Sequence, residues 1–374
     1  MSIQIEEVHG KNGLMSFIKF PFELYKNNPC YVPPIIDFEL STLLPEKNPA
    51  FDSAEAKYFV AKKEGKIVGR IAGIILDAER DEKQLARFGW MDFIDDQRVS
   101  MALLEAVINW ARSKGIKGIH GPLGFTDMDF EGMLISRFDV MASQATTYNH
   151  PYYPVHMDAF GFEKACDWKS IIANVPAEMP KRINRSASLI SNRFKLYPKK
   201  FRSRKEILKY AQGVFKVINE SFKQLYGYYE LTPKQIDYYV EAYFGFIKKE
   251  FVTVIVNDKD EVVAAAITLP SLSKAFQKAK GSLYPFGFFH VLRAFQQKDL
   301  IDMLLIGVHP EYQKLGASQL IFAELLKSFI DKKVKTVGTA IMLEDNRGVM
   351  NLWNEFQDSI VCDDIVRRCY IKQI

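Results

Sequence analysis

Gln313, Lys314, Leu315, Gly316, Ala317 and Ser318 form the stretch of this chain best suited to hold an anion. They follow an apolar run at 301–308 and precede helical spacing at 320–329. A strand, a tight turn and a helix start gather backbone N–H groups at the positive end of a helix dipole, where a phosphate binds. Gly316 lets the backbone approach a pyrophosphate with no side chain in the way. Asp302 is the second residue with chemistry to offer. It stands among Leu300, Ile301 and Met303, and strand alternation gives it the same side as Leu304, Ile306 and Val308. A carboxyl buried there has a raised pKa and can take a proton from a reacting group. The alternative is an acid that merely starts the strand at the solvent edge. His309 is a further base candidate, placed in the loop.

Other chemistry has less support. The six histidines are scattered, and Cys30, Cys166, Cys362 and Cys369 show no metal spacing and no Cys-x-x-Cys. The four read as reduced thiols of a cytoplasmic protein, and no metal is expected. Asp127, Asp129 and Glu131 are poorly spaced for a metal cage and read as solvated loop acids. Tyr148, Tyr152 and Tyr153 read as packing aromatics rather than the lining of a cleft. No apolar run reaches the ~18 residues that span a bilayer, so no membrane partner is expected. The N-terminus lacks the basic-then-apolar order of a secretory signal. The net charge of +5 is uneven: residues 181–209 carry eleven basic residues against one acid, Glu206. Such a run is a solvated connector with one helix face, or a basic wall for an anionic cofactor, carrier or nucleic acid.

The elements that must position these residues occur twice. In the second half, 205–225 has helical spacing and Thr232-Pro233 starts a further helix. Residues 251–256 and 262–269 form a hairpin, followed by the 301–308 strand, the glycine turn and a helix. A strand at 335–342, a short helix at 346–356 and a strand at 365–371 complete it. The first half repeats this order: a hairpin across 63–66, a strand at 89–94, an amphipathic helix at 99–114 and a strand at 118–120. At 374 residues two domains of ~150 each are expected. The division falls as 1–175, a linker at 176–190 containing Pro176 and Pro180, and 191–374. The 272–297 insertion, with Pro285 to Phe289, either lids a site or covers sheet surface.

With these residues in place, the second half resembles the GNAT superfamily of acyl-CoA-dependent N-acyltransferases. The family turn is Gln or Arg, two residues, Gly, one residue, then Gly or Ala; here it reads Gln313-Lys314-Leu315-Gly316-Ala317-Ser318. Val308-His309-Pro310-Glu311-Tyr312 matches the family's lead-in, and Asn346, Val349, Leu352 and Trp353 fall where its fourth helix has Asn, Ala, Leu and Tyr. The whole chain is also similar to a bacterial family of tandem GNAT proteins, through His120-Gly121-Pro122-Leu123-Gly124-Phe125 and Tyr148-Asn149-His150-Pro151-Tyr152-Tyr153.

The resemblance implies an α+β fold of two tandem GNAT-like domains, each a mixed, mostly antiparallel sheet flanked by helices. It implies acetyl-CoA or another acyl-CoA, held by Ile306, Gly307, Val308, the turn residues 313–318, Asn346 and Trp353, with Asp302 where some members place a catalytic carboxylate. The activity implied is transfer of an acyl group to a primary amine of a small molecule or peptide, with no nucleic acid involved. Trp353 stands where members often carry a Tyr acid; an indole cannot serve, so no acid is assigned. The first half has Asp95-Asp96-Gln97-Arg98-Val99-Ser100-Met101 at the turn position, with no glycine, and is expected to keep the fold without the cofactor. Two alternatives remain: an aminoacyl-tRNA-dependent transferase of tandem type, and a non-catalytic CoA-binding or scaffold module.

Overall fold

The computed structural model describes residues 2–244 and 247–374. It divides into two compact units. The first comprises Met1–Lys169, Leu272–Leu292 and Asp364–Ile374; the second comprises Ser170–Ser271 and Arg293–Asp363. Along the chain the strands are β1 (Gln4–Glu7), β2 (Ala54–Lys63), β3 (Lys66–Leu76), β4 (Leu85–Phe93), β5 (Gly118–Gly121), β6 (Met133–Leu134) and β7 (Glu163–Asn174). They continue as β8 (Tyr197–Lys199), β9 (Val252–Val256), β10 (Val262–Pro270), β11 (Leu300–Val308), β12 (Thr336–Thr339), β13 (Met342–Leu343) and β14 (Ile360–Gln373).

In the first unit β2, β3 and β4 are antiparallel neighbours, and β4 pairs in parallel with β5 after the helix Gln97–Ser113. In the second, β9, β10 and β11 are antiparallel neighbours, and β11 pairs in parallel with β12 after the helix Ala317–Asp331. The duplicated order expected from the chain is present, in mixed and mostly antiparallel sheets. Each crossover helix is fixed by a stripe at 3.6-residue spacing: Leu103, Leu104, Val107, Ile108 and Ala111 in one, Leu320, Ile321, Leu325 and Phe329 in the other, all buried.

The units do not follow the expected division. Their boundary falls within β7 and within β14, so the C-terminal strand expected in the second half ends in the first unit. Residues 176–190 are not a linker. Pro180 precedes the helix Lys181–Phe194, whose Ile183, Ala187, Ile190 and Phe194 recur at helical spacing and pack against the second core. Proline is well tolerated at a helix start, so these prolines delimit a helix rather than a flexible segment. The charges of Arg182, Arg185 and Arg193 occupy its exposed side.

Of the acids at 127–131, Glu131 is buried and Asp127 and Asp129 are half-buried rather than freely solvated. Gly132 N–H bonds Pro122 O at 2.8 Å and Leu123 N–H bonds Phe88 O at 2.9 Å, folding the loop onto the first sheet. Arg87, fully buried, donates to Gly124 O at 3.0 Å and pairs with Glu79 at 2.7 Å. Burial raises the carboxyls of Asp127 and Glu131, and lifts Asp129 to about 7 although the Phe125 and Thr126 amides donate to it. Among the described residues no group of three acids, histidines or cysteines is placed to hold a metal ion. Tyr148 and Tyr153 are buried in packing, with Tyr153 stacked on Phe93 at 4.1 Å between ring centres. No helix among the described residues is long and apolar enough to cross a membrane.

Asp129→Asn keeps an oxygen for the Phe125 and Thr126 amides and removes an ionisation the fold resists. With a folded pKa of about 7 against roughly 3.9 unfolded, ionisation penalises the native state increasingly as pH rises between those values. The variant should therefore be the more stable protein at about pH 8, and its advantage should fade towards about pH 4. Urea unfolding across this range checks it; an advantage independent of pH would contradict the burial argument.

Candidate functional site

β10 and β11 run antiparallel, but Leu305 lies opposite Ile267 while Met303 lies opposite Thr268, so Leu304 is an extra residue in β11. A bulge of one residue reverses the side-chain alternation. Ile301 and Met303 before it, and Ile306 and Val308 after it, all face the core beneath the 317–331 helix. Asp302 therefore does not share a side with Ile306 and Val308, as simple alternation predicts. It lies on the other face, with Gly307, and is 4% exposed. Across from it Gly338 of β12 is close enough that a Cβ there would stand 3.5 Å from Asp302 Oδ1.

The bulge also separates two strands. β11 and β12 pair only from Leu300 to Met303, and Ala340 N–H closes the ladder on Met303 O at 2.9 Å. Beyond that point His309 N–H bonds Val263 O at 2.9 Å, so Gly307 also points its backbone at β10. By the same alternation Ile306 and Val308 turn their N–H groups to the edge that β12 has left. The Val308 carbonyl on that edge accepts from Gln313 Nε2 at 3.0 Å. Gln313 thus ties the turn to the strand.

At the turn, Leu315 N–H bonds Tyr312 O at 3.2 Å and Gly316 N–H bonds Gln313 O at 3.1 Å. Gly316 has φ +87°, and the first rung of the next helix is Leu320 N–H to Gly316 O at 3.1 Å. The amides of Ala317, Ser318 and Gln319 precede that rung and have no acceptor within the helix. No side chain caps this helix start. Of the expected anion-binding residues, Leu315 and Gly316 spend their N–H groups inside the turn, Lys314 is exposed, and Ala317 and Ser318 keep theirs.

Asn346 caps the helix Arg347–Trp353, accepting from Val349 N–H at its side chain and from Met350 N–H at its carbonyl. Trp353 is 4% exposed, packed edge-on against Phe322 at 5.4 Å. It lines, with Met303, Phe329 and Phe356, an apolar cavity of about 30 Å³, too small for an acyl chain. The feature missed from sequence is the 181–194 helix: a Cβ on Gly316 would stand 2.8 Å from Ile190 Cδ1. Its signal was the spacing of Ile183, Ala187 and Ile190 amid the basic run.

The matching place in the first unit is built differently. Asp96 caps the 97–113 helix, its carboxylate accepting from Arg98 N–H at 3.1 Å and pairing with the Arg98 guanidinium at 2.7 Å. The Arg98 hydrogen bond, reinforced by Lys63, holds the Asp96 carboxyl far below its ordinary range. A fixed negative charge already sits where an anion would bind.

No family model matches the chain. It is 28% identical over 356 residues to Protein YghO of Escherichia coli (strain K12), covering 91% of this chain and 89% of that protein. It is 24% identical over 329 residues to a bacterial ceramide synthase of Caulobacter vibrioides, covering 85% and 83%. A tandem GNAT protein from the clavulanic acid biosynthesis pathway superposes with a TM-score of 0.57 at 12% identity, over 100% of this chain and 98% of that one. The chain is a two-domain protein of the GNAT fold.

Gly316 is constrained twice, by its dihedral and by Ile190. Gly316→Ala should cost about 1–2 kcal/mol from the left-handed backbone alone, and more from the contact. Ile190→Ala in the same chain should recover only the contact part, measured as non-additivity in urea unfolding. Strict additivity would show that Ile190 yields freely.

Proposed function

We propose that this chain is an acyl-CoA-dependent N-acyltransferase, with the cofactor held in the second unit and an amine as acceptor. The observation that carries the reading is the paired vacancy of backbone donors. Ile306 and Val308 face a gap between strands, and an uncapped helix start lies just beyond at Ala317 and Ser318. The first unit fills its equivalent helix start with Asp96. The GNAT fold and the similarity to a ceramide synthase support an acyl transfer. A ceramide is the amide of a long-chain amino alcohol, so a lipid amine is the first acceptor class to test. Acetyl-CoA and longer acyl-CoAs both suit the donor side.

When bound, acyl-CoA supplies an activated acyl group and a good leaving group. The Ala317 and Ser318 amides would hold the diphosphate, helped by the helix dipole. The Ile306 and Val308 amides would hold the carbonyl oxygen and stabilise negative charge developing there. Asp302 is the carboxylate placed to take the proton from the attacking amine, on the sheet face it shares with Gly307 and Gly338. Trp353 donates no proton, because an indole N–H is no usable acid; a thiol of pKa roughly 8.5 would need none to leave as its thiolate.

Calorimetric titration with acetyl-CoA and a long-chain acyl-CoA tests the donor site. Ser318→Asp places a carboxylate in the first helical turn, where it favours the helix and repels a phosphate. It should leave folding intact and weaken acyl-CoA binding about tenfold or more. Unchanged affinity ends the proposal. Asp302→Asn should lower kcat about 100-fold or more in a free-thiol release assay on an amine panel, with acyl-CoA affinity preserved. Full turnover in that variant removes Asp302 from the reaction.

A further inference from the structure

The 272–292 insertion contains an inverted helix. In Gly287–Ala294, the buried positions are Gly287 and Val291, while Phe288, Phe289, Leu292 and Arg293 are exposed. The outward side is thus more apolar than the inward one, the reverse of a surface helix. Just before it, Tyr284 is 84% exposed and Phe286 71%. Of thirteen large apolar side chains exposed among the described residues, five lie within 284–292. Exposed apolar residues scattered singly need no explanation, but a contiguous group marks a binding surface. The aromatics do not cover sheet surface, as one sequence expectation held.

The segment is held in place. Gly281 O accepts from Ile36 N–H at 2.8 Å, and Gln277 Nε2 donates to Pro29 O and Tyr31 O at 2.8 and 2.9 Å. All these residues belong to the first unit. A Cβ on Gly281 would stand 2.5 Å from the Phe22 ring, so the backbone sits tightly there. The patch is presented on a fixed mount.

Its charge selects the partner. Between Glu261 and Asp299 the sequence has no acid, and Lys274, Lys278, Lys280 and Arg293 are all exposed. Pairing this face with a second copy would set cations against cations. An anionic lipid surface receives both parts: aromatic and leucine side chains enter the interface, and lysines meet headgroup phosphates.

We propose that the 272–292 segment docks this protein onto the surface of an anionic lipid bilayer, with Phe286, Phe289 and Leu292 inserted and Lys274, Lys278 and Lys280 on the headgroups. No helix need cross the membrane for this. The proposal stands apart from the acyltransfer reading, because its surface lies in the first unit and uses none of the donor-site residues. Cosedimentation of the full chain with phosphatidylcholine vesicles, with and without phosphatidylglycerol, tests it. Binding should require phosphatidylglycerol and weaken as salt is raised. The triple change Phe286→Ser, Phe289→Ser and Leu292→Ser should lower partitioning about 100-fold. Lys278→Ala with Lys280→Ala should lower it about tenfold. Phe289→Trp, a gentler variant, should show emission quenched by brominated lipid. Ser318→Asp should bind vesicles as the parent does, which separates this test from the donor-site test. Absent binding, binding untouched by the triple change, or self-association abolished by that change would each overturn the proposal.

Discussion

One backbone strand has to serve two neighbours, and β11 serves them in turn. Up to Met303 it is bonded on both sides, to β10 and to β12. Leu304 adds a residue on one side only, so the strand cannot continue in register with both. β10 keeps its partner, and β12 ends at Thr339. The consequence is a wedge in which the amides of Ile306 and Val308 have lost the neighbour a continuous sheet would supply. Backbone donors in that position require water or a ligand. The same shift carries Asp302 to the face of Gly307 and keeps Ile306 and Val308 on the core of the 317–331 helix. The Ile306 and Val308 amides and the Asp302 carboxyl are thereby divided between the strand edge and one sheet face, by a single inserted residue.

The two units answer one accounting question in opposite ways. Every helix start exposes N–H groups that need partners. In the first unit Asp96 provides one, with Arg98 and Lys63 balancing its charge. In the second, Gly316 has no side chain to offer, and nothing else caps the helix. A duplicated fold therefore carries one capped and one uncapped helix start.

Much of this was legible in the sequence. The crossover helices announced themselves through Leu103, Leu104 and Val107, and through Leu320, Ile321 and Leu325, because burial of one helix side imposes that period. The short helix after Asn346 was legible too, and the Asn346 side chain caps it. Leu304 was not. Leu-Leu-Ile offers no residue that marks an extra place in a strand, and only the partner strand reveals it. Nor could local pattern assign β14, because its apolar alternation fits either sheet and only long-range pairing with β5 decides. Asp127, Asp129 and Glu131 looked solvated because acids between loop residues usually are. Arg87, forty residues away in chain, supplies the buried charge that lets them turn inward.

The Gly316 position shows why a motif residue is weak proof of a ligand. Its φ of +87° and the approach of Ile190 each demand glycine with nothing bound. The residue would be kept by packing even in a chain that had lost its donor substrate. What separates a working site from a fossil turn is therefore the fate of the amides after it. A fossil is free to acquire a cap at no functional cost, and a cap stabilises the helix by about 1 kcal/mol. The first unit carries such a cap in Asp96. The second has glycine at its cap position, where φ +87° and Ile190 exclude the side chains that cap best, so the Ala317 and Ser318 amides stay uncapped. The open amides after the turn, more than the glycine itself, are the feature that the two helix starts do not share.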